Sequence, residues 1–179
     1  EKALAALASA WLQQNPAKVI AITGSNGKTT VKNMLYSVLK QHGSVQATQG
    51  NFNNEIGLPL TVLSLKPEMD YLILEMGAGQ PDRKSTRLIT YLCEIAPPDV
   101  ALVNNISAAH VGRFGSLKAI ARTKGEIYRH LKVAGVAVIN AEDDFQDSWP
   151  VPHTATRVRY GCGTDVEYQL SHNTDGSAF

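Results

Sequence analysis

The run Val19-Ile20-Ala21-Ile22-Thr23-Gly24-Ser25-Asn26-Gly27-Lys28-Thr29-Thr30 decides the fold. Its first five residues are apolar or β-branched throughout, as in a strand buried on both faces. Two glycines then bracket Ser25 and Asn26, and residues 29–42 follow with helical spacing. In a strand, glycine-rich turn and helix of this kind, successive backbone N–H groups aim at one anion and the helix presents its positive end to it. Lys28 adds a full charge near the β and γ phosphates of a nucleotide, and the Thr29 hydroxyl is suited to Mg2+. The strict phosphate-loop pattern asks for a glycine where Ile22 stands, so this loop is a variant of it. The bare alternative is a glycine-rich turn without a ligand, which the flanking strand and helix disfavour. The expected nucleotide-binding residues are Gly24, Ser25, Asn26, Gly27, Lys28, Thr29 and Thr30.

Outward from this unit the same alternation continues. Upstream, Leu4, Leu7, Ala8, Trp11 and Leu12 share a helical face that Asn15-Pro16 ends. Downstream, the pattern predicts strands at 45–48, 70–76, 100–103 and 136–139. It also predicts a short helix over 57–65, a helix ending at Ala96 before Pro97-Pro98, and a helix from a Ser116 cap to Leu131. Short buried strands alternating with helices predict an α/β domain: a mostly parallel sheet flanked by helices, P-loop NTPase-like. The tail, 155–179, is expected to add an antiparallel hairpin to the sheet edge. Residues 1–16 are expected to be a linker helix and 17–179 the nucleotide-binding domain.

The chain has 179 residues, 44% hydrophobic and 18% charged, with a formal net charge of +1. That is one domain with a real core, and it argues against disorder. No window approaches the roughly 18 consecutive apolar residues of a membrane span, and the near-neutral balance argues against a nucleic-acid binder. Cys93 and Cys162 form neither a disulfide framework nor a zinc spacing, so thiols kept reduced in a cytoplasm are expected. The chain starts at Glu1 without an export signal and stops within a strand-like region, as a piece of a longer protein would.

The polar residues of interest fall just past the C-terminal ends of the predicted strands: Gly24 onward, 51–54, Glu75, 104–110 and Asn140. Ligands of open α/β sheets bind at that edge. Glu75 leaves a buried strand and needs a partner, which a Mg2+ held by Thr29 would supply; alone it would be a cap or a surface charge. Asn51, Asn53 and Asn54 are either turn formers or amide donors to a γ-phosphate. His110 on a loop and Lys124 on a helix are, by position alone, solvated side chains. Cys93 reads as core, and Arg83, Lys84 and Arg87 as an exposed basic face.

Thr23-Gly24-Ser25-Asn26-Gly27-Lys28-Thr29-Thr30 together with Asn51-Phe52-Asn53-Asn54-Glu55-Ile56-Gly57-Leu58-Pro59 resembles the Mur ligases of peptidoglycan synthesis. Glu75-Met76-Gly77-Ala78, residues 104–110 and Lys124-Gly125-Glu126-Ile127 match in the same order, so the resemblance covers most of 17–145. Asn-Asn-Glu-Ile-Gly-Leu-Pro and Glu-Met-Gly-Ala look most like the members that join D-Ala-D-Ala to UDP-N-acetylmuramoyl-tripeptide. The resemblance implies the central ATP-binding domain of a three-domain enzyme, the UDP-sugar and dipeptide being held by N- and C-terminal domains absent here. It puts Lys28 on the phosphates, Thr29 and Glu75 on one Mg2+, and His110 on a second. It makes Lys124 a carbamate-bearing metal ligand, faces Asn54 to the γ-phosphate and sets Asn140 at the adenine. Lys28, Glu75, His110 and Lys124 are thus the implied catalytic set.

Residues 81–87 depart from the family's usual Pro-Gly-acidic-Ile continuation after Met-Gly-Ala. The chain alone is expected to bind ATP without efficient ligation. Competing readings are another Mur-type or folylpolyglutamate-type ligase, a nucleotide-driven switch module, or a fold that holds no nucleotide.

Overall fold

The computed structural model describes residues 1–78, 88–108 and 116–166. In chain order its elements are α1 (Lys2–Gln14), β1 (Lys18–Thr23), α2 (Lys28–Leu39), β2 (Val45–Ala47), α3 (Gly57–Leu63) and β3 (Tyr71–Glu75). α4 (Leu88–Ile95), β4 (Val100–Val103), α5 (Leu117–Arg129), β5 (Val136–Asn140) and β6 (Thr156–Tyr160) follow. The strands form one sheet in the order β2-β3-β1-β4-β5-β6, and every pairing is parallel. β1 therefore lies between β3 and β4, so the loop that follows it is flanked by the ends of both.

Alternation along β1 builds two core layers. Val19 and Ala21 face the larger one, with Leu58, Leu72, Leu92, Ala101 and Ile127. Ile20 and Ile22 face the smaller one, with Ile73 and Leu102, under Val31, Leu35 and Leu39 of α2. The expected helix at the start exists, but its buried face is Ala5, Ala8 and Leu12, while Leu7 is 61% exposed. Small alanines bring α1 close to α3, and the Trp11 indole N–H donates to the Leu65 carbonyl at 2.9 Å. Ser116 caps α5 as its position predicts, accepting the Ala119 N–H at 3.1 Å.

The tail corrects one expectation. Thr156–Tyr160 joins the sheet edge by pairing parallel to β5, with Asn140 level with Tyr160, and the rest of the expected hairpin, 167–179, lies outside the described residues. Residues 141–155 are a crossover long enough for the parallel return, which needs about a dozen residues or more. Trp149 anchors that crossover: it is buried, and its ring packs on α5 at Gly125, where a Cβ would lie 2.7 Å from the indole. Among the described residues no helix is long and apolar enough to cross a membrane.

Candidate functional site at the carboxyl edge of the sheet

The loop after β1 turns on two glycines with positive φ, Gly24 at 153° and Gly27 at 73°. Gly27 caps α2 in the left-handed region, which favours glycine. A Cβ there would also come within 2.8 Å of the Asn104 side-chain amide nitrogen, which would have to move aside. The two loops are tied together. Ser25 N donates to Asn105 O at 2.9 Å, and Asn26 N to Asn105 Oδ1 at 3.0 Å. Ser107 N donates to Ser25 Oγ at 3.0 Å, Asn26 Nδ2 to Ser107 Oγ at 2.7 Å, and Asn104 Nδ2 to Asn26 O at 2.9 Å. With the N–H groups of Ser25 and Asn26 so engaged, the donors left for an anion are those of the first turn of α2, which have no intrahelical acceptor. Lys28 lies back across the loop, its Nζ 2.9 Å from Gly24 O, and Thr30 is exposed in that same first turn.

Register places the acid. Ile22 of β1 is level with Glu75 of β3, so the Glu75 carboxylate emerges beside the phosphate loop. It is 4% exposed; Oε2 accepts from Thr29 Oγ1 at 2.8 Å and Oε1 from Asn53 Nδ2 at 2.9 Å. The Glu75 backbone N–H donates to Thr48 Oγ1 at 3.0 Å. A carboxylate and a hydroxyl meeting at the mouth of a phosphate loop are the hard oxygen donors that Mg2+ takes, so the residues present fit that ion. Asn53 reaches Glu75 because the backbone at Gly77 lets it: a Cβ on Gly77 would lie 2.9 Å from Asn53 Oδ1. Asn54 instead takes up turn chemistry, its Oδ1 accepting from Gly57 N at 2.8 Å and Ile56 N at 3.2 Å at the start of α3.

Lys124 does not face solvent. It is 3% exposed on the inner side of α5, one turn before Tyr128. The Tyr128 hydroxyl sets that helix against the sheet, accepting from Val103 N at 3.0 Å and donating to Val138 O at 2.8 Å. Burial first, and the charge of Lys28 second, push Lys124 down from 10.5 to about 8. Among the described residues no carboxylate forms an ion pair with it. The neutral amine, the form that reacts with CO2, is therefore more populated than on an ordinary lysine.

The shift has a sign. The folded chain binds fewer protons than the unfolded one between about pH 8 and 10.5, so burial of this ammonium costs stability below that window and the cost is relieved as pH rises through it. In CO2-free buffer, Lys124→Met is expected to stabilise the chain at neutral pH by up to about 3 kcal/mol. The same change should flatten the rise of urea stability with pH across the window. Equal pH slopes for the two proteins would contradict the expectation.

Asn140, at the end of β5, braces rather than reaches out: Nδ2 donates to Asn104 O at 3.2 Å and Oδ1 accepts from Glu142 N at 3.0 Å. Beside it sequence reasoning missed Asp143, a buried carboxylate that accepts from Ile106 N at 2.8 Å and Phe145 N at 2.9 Å and so holds the β4 loop. It stands among other acidic residues at 142–144, and nothing in the sequence separates it from them. Thr48 was missed because its partner, the Glu75 N–H, lies 27 residues away in sequence. The structure thus gathers the phosphate loop, Lys28, Thr29, Asn53 and Glu75, with Lys124 near enough to feel Lys28. His110, and Arg83, Lys84 and Arg87, lie outside the described residues.

Against known proteins, the model of the Mur ligase middle domain matches residues 22–179. The UDP-N-acetylmuramoyl-tripeptide–D-alanyl-D-alanine ligase of Escherichia coli K12 is 44% identical over 142 residues, covering 79% of this chain and 30% of that protein. A crystal structure of MurF from Acinetobacter baumannii superposes with a TM-score of 0.87 at 38% identity, over 95% of this chain and 37% of that one. MurF from Thermotoga maritima in complex with ADP gives 0.84 at 39% identity, over 97% and 40%. The chain spans about a third of the length of the curated relatives it matches.

Proposed function

The chain belongs to the Mur ligase family, matching its middle domain, and from that premise we propose that residues 17–179 are the ATP-binding domain of a cytoplasmic, monomeric enzyme joining D-Ala-D-Ala to UDP-N-acetylmuramoyl-tripeptide. The observation that carries this reading is the Thr29–Glu75 contact of 2.8 Å at the mouth of the phosphate loop. A phosphate-loop hydroxyl meeting a strand-end carboxylate is the general Mg2+-nucleotide arrangement, so this contact supports nucleotide binding and the ligase reading adds the family likeness. The 38–39% identity to MurF structures, one of them with ADP, favours this member over sister ligases.

The reaction runs in two steps. A carboxylate oxygen of the tripeptide attacks the γ-phosphorus of ATP, the bond to the β–γ bridging oxygen breaks, and ADP leaves an acyl phosphate. The D-Ala-D-Ala amine then attacks the acyl carbon, loses a proton and expels inorganic phosphate, leaving an amide. The first-turn N–H groups of α2 hold the phosphates, and Lys28 neutralises charge on the transferring group. Thr29 and Glu75 would hold one Mg2+, and His110 with a carbamylated Lys124 would hold a second; such ions would supply charge stabilisation to the phosphoryl oxygens. Asn53 orients Glu75. The Asn54 amide nitrogen would serve the γ-phosphate, and Asn140, which braces the β4 loop through Asn104 O, would border the adenine. Neighbouring domains hold the UDP-sugar and the dipeptide, so this chain alone binds nucleotide without efficient ligation.

Calorimetric titration with a non-hydrolysable ATP analogue, with Mg2+ and with EDTA, tests the reading. Saturable binding that Mg2+ strengthens is expected. Heat of dilution alone in both buffers would refute it.

A further inference from the structure

α2 carries an oddity that the proposed chemistry leaves unused: its one buried residue is Lys32, 5% exposed, while Val31, Leu35 and Leu39 on the same helix are only half-buried. The Lys32 Nζ donates to the Thr48 carbonyl at 2.8 Å, and among the described residues it has no carboxylate partner. Burying an ammonium without an opposite charge is unfavourable, and an apolar side chain would pack there at less cost. What the ammonium gains is a grip on the end of β2. Thr48, itself 2% exposed, uses its hydroxyl to accept the Glu75 N–H at 3.0 Å, and the Glu75 carboxylate meets Thr29. Lys32 and Lys28 stand one turn apart on α2, so a single helix touches the acid by two routes: directly through Thr29 and indirectly through Lys32 and Thr48.

We propose that Lys32 is a positioning residue for the Glu75 carboxylate: it clamps Thr48 so that the Thr48 hydroxyl fixes the end of β3 and aims the acid at the Thr29 hydroxyl. The inference rests on the nucleotide site proposed above and extends it to residues that touch neither phosphate nor metal. Its effect belongs to the metal-dependent part of nucleotide binding, because Lys28 and the first-turn amides of α2 hold phosphates without Glu75.

The test titrates the chain and its variants with the non-hydrolysable ATP analogue in Mg2+ and in EDTA, alongside thermal unfolding. Lys32→Met is expected to cut the gain in affinity due to Mg2+ by about tenfold, the usual scale for losing an outer partner of a metal ligand. Affinity in EDTA should stay unchanged, and Lys32→Arg should recover most of the gain. Thr48→Val, which keeps the carbonyl but not the hydroxyl, should show the same selective loss and decides the matter if Lys32→Met does not fold. A lowered unfolding temperature with the Mg2+ gain intact in the folded variants would overturn the inference alone. A parent chain without any Mg2+ gain would overturn the site reading and this inference together.

Discussion

Replacing Gly57 with alanine is expected to destabilise the chain more than any other single methyl group would. Gly57 opens α3, and a Cβ there would sit 2.4 Å from Phe52 Cα and 2.6 Å from Phe52 C. Both are backbone atoms, so no rotamer change relieves the clash; either the loop lifts from the helix or the helix start moves. Overpacking of this kind costs about 1–3 kcal/mol, or more where the backbone cannot shift. The same movement would break the Asn54 bond to Gly57 N and pull Asn53 from Glu75. Urea unfolding should show a lower midpoint, and the Mg2+ gain in nucleotide affinity should fall with it. A variant that unfolds at the parent midpoint would mean that the loop does not lie on Gly57 as described.

Lys28→Met is expected to have the opposite profile, leaving the fold alone and removing nucleotide. The side chain is only half-buried and its bonds are to carbonyls of its own loop, Gly24 O at 2.9 Å and Ser25 O at 3.5 Å. Losing a charge-assisted bond to a phosphate costs about 1.5–3 kcal/mol, or roughly 10- to 100-fold in affinity. Because the lost partner is the phosphate itself, the loss should appear in EDTA as well as in Mg2+, unlike that of Lys32→Met. Parent-like affinity in EDTA would remove Lys28 from the phosphate site. Removal of the Lys28 charge should also let Lys124 move back up, since that charge is the second cause of its depression.

Local pattern carried most of the fold. The strand at 100–103 matches its expected bounds, and Ser116 caps its helix through the expected side-chain oxygen. Those features depend on residues near one another in sequence. The direction of β6 does not: a short run such as Thr156–Tyr160 pairs either way, and the crossover anchored by Trp149 on Gly125 decides it. The site divides along the same line. Gly24, Gly27, Lys28 and Thr29 were legible because one loop and one helix turn hold them all. Burial of Lys124 was not, since its helix offers several polar positions and only packing against the sheet selects the one that turns inward. Asn53 and Asn54 stand side by side, yet one meets Glu75 and the other Gly57 N; adjacency in sequence says nothing of which points where. Thr48, Lys32 and Asp143 matter through partners 16 to 37 residues away.

The stitching of Ser25 and Asn26 to Asn105 and Ser107 bears on binding kinetics. A glycine-rich loop left to itself would sample many shapes, and an arriving anion would have to select or freeze one of them. Here the neighbouring strand's loop has already imposed the shape, so little conformational freedom remains to be lost on association. Encounter should therefore be governed by diffusion and charge instead of by a slow search of the loop, with dissociation rates distinguishing good guests from poor ones.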